Sequence, residues 1–455
     1  MFHIAIYILV SAAFANTQFP LLDKKSPGRF LHITDLHIDP HYKEGASFDS
    51  QCHAISHTGK DNRAGKYGSP ESGCDSPIAL IDKTFEFVSK NLYDIDFVFW
   101  TGDNARHDGD SNLPRTLKET KEQNILAVSY FKKSFKSNVV IIPSIGNNDV
   151  HPHNLLDYKH NTAAIFPFFA DIWSDYIPIS QKRNFLQHGS FVKDLSHSLQ
   201  AVSLNTLYFS SANKLVEHCG IESSPGRVIL EWLETEVLKP AKGAKKKVFI
   251  SGHIPPNAKN YQGDCLDRFI TLSLKYKEVI IGQFYGHMNI DHFYFPVEKT
   301  HPLNVEPNDL MHIMAPKWIN KYFKSLLKHY KSIQKEPSLP APIFVTSSVC
   351  PAFNPGLRVY TYEKDSGHLL DYDHYYADLS ENSNLKSTFY KLEYRAKSEY
   401  KLISKQITHA WKDLADRLSQ LWKKKKTKAL IKSFYRNFVI GVKKLFKPFN
   451  DSIGQ

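Results

Sequence analysis

Cysteine is scarce in this sequence and never occurs in a closely spaced pair. The 455 residues include five cysteines, and no two of them form a C-x2-C motif, which argues against a zinc ribbon. No repeat of 20 to 50 residues is present, so repeat architectures are not expected. With 42% hydrophobic and 13% aromatic residues, the chain has the apolar content of a globular protein with a large core, in one large domain or two fused ones.

Charged residues are missing from the N-terminal segment. Residues 2–15 contain no Asp, Glu, Lys or Arg, and small residues stand at Ala13 and Ala15. This pattern predicts a cleaved signal peptide over residues 1–16, with a retained signal anchor as the alternative because a basic leading segment is absent. Both alternatives predict the secretory pathway. We therefore expect a vacuole, a lysosome-like compartment or the extracellular space, with anchoring to a membrane through the N-terminus in the second case.

Disulfides are expected because such compartments are oxidising. Cys52 with Cys74 and Cys219 with Cys265 would each close a moderate loop, which leaves Cys350 as a buried free thiol. The only N-x-[ST] sequon begins at Asn450, in the tail, so it is the one candidate glycosylation site.

Buried strands alternate with helices in the predicted secondary structure. Runs rich in Val, Ile and Phe predict strands at 28–34, 96–102, 138–144, 199–209, 246–252, 278–286, 342–349 and 357–364. Apolar residues at helical spacing predict helices at 76–92 and 226–241. This alternation predicts an α/β fold. The pattern becomes helical and basic after about residue 380, so we predict one domain over 28–380 and a basic helical region over 381–455.

Five of these strands end in residues that commonly bind metals. Their tips read Asp35-Leu36-His37, Gly102-Asp103, Gly146-Asn147-Asn148-Asp149, Gly252-His253 and Gly286-His287-Met288-Asn289. Sites in open α/β sheets form outside the carboxyl ends of the strands. Two divalent metals about 4 Å apart need a bridging carboxylate with further N and O ligands, and they activate a hydroxide for in-line attack on phosphorus. Mixed His, Asp and Asn ligands suit Zn, Mn or Fe and argue against a thiolate site.

The ordered set D-x-H, G-D, G-N, G-H and G-H resembles the calcineurin-like metallophosphoesterases, over roughly residues 28–365. This resemblance implies a four-layer αββα sandwich around two divalent metal ions, which would be Zn, Mn, Fe or Co. The stretches FLHITDLHIDPHYKEG, WTGDNARHD, PRTLKE and PSIGNNDVHPHNLL are most similar to the fungal-type endopolyphosphatases, which are relatives of acid sphingomyelinase.

The family pattern implies a role for each strand-tip residue. Asp35 and His37 would bind the first metal, Asp103 would bridge both metals, and Asn147, His253 and His287 would bind the second. Two positions depart from the usual pattern. The superfamily usually has G-H-x-H where this chain has Asn289, so the last ligand of the first metal would be this amide or water.

The second departure is Asn148, which stands where the superfamily usually has a histidine that contacts the phosphate or protonates the leaving group. Asparagine cannot deliver a proton, but it can donate hydrogen bonds to a phosphoryl oxygen. We predict His107 as the general acid, because sphingomyelinase-like relatives have a histidine at that spacing and histidine titrates near the pH of an acidic organelle. A structural role is the alternative for His107, and His151 and His153 are rival candidates.

An excess of basic residues favours anionic partners. The formal net charge is +12, and Arg106, Arg115 and Lys118 are candidate contacts for a polyanion, with solvated surface charge as the alternative. Residues 422–447 contain many Lys and Arg but no acid. This segment predicts either a basic amphipathic helix on an anionic membrane or an arm that binds a polyanion. A helix packed on the domain with a solvated basic face is the alternative.

The resemblance thus implies a metal-dependent hydrolase, an endopolyphosphatase that cleaves internal phosphoanhydride bonds of inorganic polyphosphate. Polyphosphate is then the expected partner, and nucleic acid is not expected. A sphingomyelinase-like phosphodiesterase acting on lipids or nucleotides is the alternative enzyme. A polyanion-binding protein without activity is a third alternative, which the substitutions at Asn148 and Asn289 raise and the six remaining ligands oppose.

Overall fold

Two six-stranded sheets form the centre of the protein. The computed structural model describes residues 26–56, 63–158, 162–297, 316–336, 338–379, 389–420 and 425–442. The predicted signal segment at 1–16 and the sequon at Asn450 lie outside these residues.

The strands in chain order are β1 (Gly28–Ile33), β2 (Ile38–Asp39), β3 (Ser76–Pro77), β4 (Phe97–Trp100), β5 (Val140–Pro143), β6 (Phe191–Asp194), β7 (Leu199–Leu204), β8 (Lys247–Gly252), β9 (Ile280–Tyr285), β10 (His292–Tyr294), β11 (Ile343–Val345), β12 (Gly356–Tyr362), β13 (Leu369–Tyr376) and β14 (Lys391–Arg395). Each of the eight predicted strands is therefore confirmed, with its ends moved by a few residues.

The helices are α1 (Ile78–Asn91), α2 (Leu117–Ser134), α3 (Thr162–Ile172), α4 (Lys182–His188), α5 (Pro225–Trp232), α6 (Lys239–Gly243), α7 (Gly263–Lys275), α8 (Pro316–Ser332), α9 (Ala396–Glu399), α10 (Ile407–Ser419) and α11 (Lys425–Phe438). A π-helical turn, Leu233–Leu238, joins α5 to α6. The helices predicted at 76–92 and 226–241 are both present.

The topology brings the carboxyl ends of the motif-bearing strands together. The first sheet has the order β14-β13-β12-β1-β4-β5, and the second has the order β10-β11-β9-β8-β7-β6. Strands β1, β4 and β5 are parallel in the first sheet, and β8 and β9 are parallel in the second. All five strands whose tips carry candidate ligands are thus parallel neighbours within their sheets.

Aromatic side chains fill the space between the sheets. Phe30 of the first sheet lies 5.3 Å from Phe284 of the second, and Phe99 stacks on Phe284 at 4.9 Å. Because strand side chains alternate, Trp100 points to the opposite face, where Phe131 of α2 stacks on it at 4.0 Å. Helices therefore cover the outer face of the first sheet, as the predicted αββα sandwich requires.

The helical C-terminal region predicted from residue 381 is present, and it packs on the same core as the sheets. Its described part starts with β14, which pairs with β13. Trp411 and Phe434 are buried against Phe293, at 4.6 and 6.0 Å. The apolar side of α11 is therefore covered by the protein, as in the packed-helix alternative. Any contact of this helix with a membrane would have to use its basic face, and that contact stays a prediction.

Both predicted disulfides are present. Cys52 is bonded to Cys74, and Cys219 is bonded to Cys265. Cys350 is free and buried, as predicted. Within the described ranges, no helix combines the length and apolar character needed to cross a bilayer.

Candidate metal centre

Two of the three groups of candidate ligand atoms among the described residues share Asp103 and meet at the carboxyl ends of the strands. Asp35, His37 and Asp103 form one group, and Asp103, His253 and His287 form the other. Within each group the ligand atoms lie within 4.8 Å of one another. Asp103 belongs to both groups, which is the arrangement that a carboxylate bridging two metals requires.

Histidine orientation is set by backbone carbonyl groups. Nδ1 of His37 lies 3.0 Å from the carbonyl oxygen of Ala105, and Nδ1 of His253 lies 2.7 Å from that of Thr101. A carbonyl oxygen only accepts hydrogen bonds, so each Nδ1 carries the hydrogen and each Nε2 is left as the ligand atom. Nε2 of His37 is 3.5 Å from Oδ2 of Asp103, and Nε2 of His253 is 3.1 Å from the same oxygen.

The backbone of the site is strained. Five candidate ligands have positive φ angles, namely Asp35 (52°), His37 (39°), Asp103 (56°), His287 (69°) and Asn289 (57°). Residues other than glycine pay an energetic penalty in this left-handed region, and such strain clusters at functional sites.

Two motif glycines are required because other chain segments approach them closely. A Cβ atom on Gly146 would lie 2.1 Å from Oδ1 of Asp103, and one on Gly286 would lie 2.5 Å from Oδ2 of Asp35. Any side chain at these positions would displace the candidate ligands. The glycines at these two positions of the sequence motifs are thus explained by packing.

The electrostatics of the site fit divalent cations. Burial alone would lower the pKa of His37 and of His253, but the carboxylates of Asp35 and Asp103 raise both to about 9. Burial, reinforced by the charge of His253, lowers the pKa of His287 to about 3. Oδ1 of Asp35 and Oδ1 of Asn289 are buried without a hydrogen-bond partner among the described residues. A buried oxygen without a hydrogen-bond partner destabilises the folded protein. This set of donor atoms is therefore better suited to binding cations than to remaining without them.

Asn147 is held with its amide oxygen toward the centre. Its Oδ1 lies 2.8 Å from Nε2 of His253, and its Nδ2 donates to Nε2 of His153 at 2.8 Å. His153 must be unprotonated at Nε2 to accept this bond, and burial lowers its pKa to about 4. His153 therefore orients a candidate ligand, which disfavours it as the rival general acid.

Asn148 braces the shared carboxylate. Its backbone N–H donates to Oδ1 of Asp103 at 2.7 Å, and its Nδ2 donates to Oδ2 at 2.8 Å. This bracing role was not predicted from the sequence. The predicted contact with a phosphoryl oxygen would have to use the second amide hydrogen, and it stays a prediction.

Asp149 joins the turns that follow β4 and β5. Its carboxylate accepts hydrogen bonds from the backbone N–H groups of Asp103, Asn104 and Gly146 at 2.7 to 2.9 Å. No role was predicted for Asp149, although its position at the end of the G-N-N-D turn was a usable signal.

His107 lies beside the first group of ligands. Its ring stacks on that of His37 with 4.0 Å between the centroids. Asp75 accepts hydrogen bonds from both the backbone N–H and Nδ1 of His107, each at 2.6 Å. Sequence reasoning missed Asp75, which directly follows Cys74 at the end of the disulfide-closed loop. The usable signal was an acidic residue next to a cysteine, because the disulfide of that cysteine brings this part of the chain close to the site.

Two of the predicted substrate contacts are corrected by the structure. Arg106 is fully buried, and its guanidinium donates to Glu119, at 2.6 Å, and to the carbonyl oxygen of His107. Arg115 is buried as well, and it donates to the carbonyl oxygens of Arg106 and Asn148. Both arginines therefore brace loops of the site. The side chain of Lys118 is 85% exposed and lies 3.7 Å from Glu122, so it is solvated.

Comparisons with known proteins agree with this geometry. The family model for calcineurin-like phosphoesterases matches residues 28–291. A Candida glabrata protein named endopolyphosphatase is 44% identical over 59% of this chain and 42% of its own length. The Saccharomyces cerevisiae protein of the same name is 41% identical over 60% of this chain and 41% of its own length.

A Schizosaccharomyces pombe endopolyphosphatase is 33% identical, and the match covers 85% of this chain and 70% of that protein. The chain thus spans about two fifths of the length of the first two relatives and more than two thirds of the third. Taken together with the ligand groups at the strand ends, the matches establish that this chain belongs to the calcineurin-like phosphoesterase family.

Proposed function

We propose that this chain is an endopolyphosphatase that hydrolyses internal phosphoanhydride bonds of inorganic polyphosphate with two divalent cations. The observation that carries the proposal is the position of Asp103 in both groups of ligand atoms. The name carried by the three relatives supports the choice of substrate.

Each cation would be held by residues from different strand ends. Asp35, His37, Asp103 and Asn289 would hold the first, and Asp103, Asn147, His253 and His287 would hold the second. When bound, such a pair supplies Lewis acidity and activates water for attack on phosphorus. Mixed nitrogen and oxygen donors are compatible with Zn, Mn, Fe or Co.

His107 is the proposed proton donor. Asp75 holds its Nδ1–H at 2.6 Å, which leaves Nε2 to give a proton to the bridging oxygen as the P–O bond breaks. Water supplies the oxygen of the new P–O bond, so the products are two shorter chains, each ending in a phosphate. A phosphate leaves readily, which reduces but does not remove the need for this acid.

We place the protein in the secretory pathway, in a vacuole, a lysosome-like compartment or outside the cell. The two disulfides support this proposal because such bonds persist in oxidising compartments. The formal charge of +12 supports attraction of a polyanionic substrate.

The proposal is tested by giving the purified full chain long-chain polyphosphate, bis-p-nitrophenyl phosphate and sphingomyelin, each with added Mn²⁺, Zn²⁺ or Co²⁺. We expect the polymer to shorten to fragments of intermediate length, which gels resolve. The variant Asp103→Asn should lose this activity, because it weakens the residue shared by both ligand groups.

The other outcomes identify the alternatives. Release of terminal orthophosphate alone would show that cleavage is not internal. Hydrolysis of the diesters without any loss of polyphosphate would favour a sphingomyelinase-like phosphodiesterase. If Asp103→Asn and the unchanged protein both bind polyphosphate and cleave nothing, the chain is a polyanion-binding protein.

A further inference from the structure

The loop that carries His287 and Asn289 is anchored at both of its ends. Its first end follows β9, where the N–H of Gly286 donates to the carbonyl oxygen of His253 at 3.0 Å. The N–H of His287 donates to Oδ2 of Asp35 at 2.9 Å. The second end is Asp291, two residues after Asn289 and directly before β10.

Asp291 is buried, and its carboxylate accepts hydrogen bonds from two donors in distant parts of the chain. Nη2 of Arg358, on β12, donates to Oδ1. The hydroxyl group of Tyr394, on β14, donates to Oδ2. The backbone N–H of Asp291 donates to the carbonyl oxygen of Phe438, the last residue of α11, at 3.2 Å. Two of these three partners lie beyond residue 389.

The two donors of the carboxylate are themselves fixed. Arg358 is fully buried, donates from Nη1 to the hydroxyl group of Tyr360 at 2.7 Å, and lies 4.2 Å from the ring centroid of Tyr372. The hydroxyl groups of Tyr372 and Tyr394 are 3.0 Å apart. Hydrogen bonds to a buried charge are stronger than neutral ones, so this network holds Asp291 tightly.

The loop needs such support because His287 and Asn289 both have left-handed backbone conformations, with φ of 69° and 57°. Strained conformations persist only when the surrounding structure determines them. We propose that Asp291, Arg358 and Tyr394 form a clamp through which the C-terminal region positions the metal-binding loop. The catalytic centre therefore depends on residues that contact neither metal nor substrate.

The clamp is tested with Tyr394→Phe, which removes one hydroxyl group and keeps the ring. The matched control is Tyr390→Phe, because Tyr390 is equally buried in the same region but its hydroxyl group bonds Thr84 at 3.0 Å. Calorimetric titration of the metal-free full chain with Mn²⁺ or Zn²⁺ measures the affinity. We expect affinity about 10-fold weaker for Tyr394→Phe and unchanged for Tyr390→Phe, even if both lower Tm.

Hydrogen exchange of the metal-free protein gives a second readout. Backbone amides of residues 287–291 should exchange faster in Tyr394→Phe, and those of the control should not. The clamp would be overturned if Tyr394→Phe had the same metal affinity and the same amide exchange as the unchanged protein. It would also be overturned if Tyr394→Phe and Tyr390→Phe lost metal affinity to the same extent. The clamp rests on the proposed metal centre, but different results would refute each. If the unchanged protein bound no metal, the metal centre itself would be refuted.

Discussion

At the scale of single residues, the site depends on side chains that hold other side chains. Asp75 contacts His107 through Nδ1 and through the backbone N–H. The ring of His107 in turn lies against that of His37. A carboxylate in this position selects one tautomer of the imidazole ring.

Asp75→Asn should therefore lower the turnover of polyphosphate about 10- to 100-fold, because His107 loses the partner that fixes its tautomer. Hydrolysis of bis-p-nitrophenyl phosphate should fall less, since p-nitrophenolate departs without a proton. Steady-state kinetics on both substrates measure the difference. The double variant with His107→Gln should be no slower than His107→Gln alone, and additive losses would show that the two residues act separately.

Gly146→Ala should abolish tight metal binding, because its Cβ would lie 2.1 Å from Oδ1 of Asp103. We expect a loss of activity of at least 100-fold, with a Tm that falls by a few degrees. Gly243→Ala is the matched control, since no atom outside its own stretch of helix lies within 4 Å of its Cβ position and alanine favours helices. Normal metal affinity in Gly146→Ala would contradict the close approach.

At the scale of secondary-structure elements, helix α11 is part of the core. Phe434 is buried and lies 5.7 to 6.3 Å from the rings of Phe293, Phe323, Tyr330 and Tyr400. Ile431, Phe434 and Phe438 of this helix are buried, whereas Lys428 and Lys432 are only partly buried, so its amphipathic character reflects packing on the domain.

Phe434→Ala should lower the free energy of unfolding by about 3–4 kcal/mol, because it leaves a cavity among these rings. Urea denaturation measures the change, and Lys432→Gln serves as the control that should shift stability little. A helix that docks on membranes instead would give the opposite pattern. Its Phe434→Ala variant would keep normal stability and lose binding to anionic vesicles.

At the scale of the whole molecule, burial of neutral histidines makes stability depend on pH. Burial lowers the pKa of His188 from 6.5 to about 4, and this residue lies against Trp232 at 5.1 Å. In the unfolded chain His188 takes up a proton near pH 6.5, whereas in the folded protein it takes up that proton only near pH 4. Stability is therefore full above pH 6.5 and falls as the pH drops through that range.

His188→Gln should flatten this dependence. We expect the unchanged protein to lose about 2 kcal/mol more stability between pH 7 and pH 4.5 than His188→Gln does. Urea unfolding of the metal-free proteins at pH 7 and pH 4.5 measures the loss of stability for the unchanged protein and for His188→Gln. His409→Gln, at an exposed histidine, should keep the dependence of the unchanged protein, and an equal slope in His188→Gln would disprove the assignment.

The sequence alone indicated the positions of the strands, two plausible disulfides and the strand-tip residues that form the two ligand groups. Strands are encoded by short apolar runs, and strand order places their carboxyl ends at one edge. Cys52 with Cys74 was a plausible pair because the two residues would close a loop of moderate length, and the structure confirms it. These features depend on local pattern, which a single sequence displays.

Tertiary structure alone decided which basic and acidic residues face the site. Arg106 and Arg115 have the positive charge expected of residues that bind a polyanion. In the folded protein, however, they are buried against carbonyl groups and Glu119. Asp75 is 32 residues from His107 and Asp291 is 103 residues from Tyr394, so no local pattern connects either pair. Hydrogen bonds between distant residues depend on how the sheets pack, and that packing is a property of the whole chain.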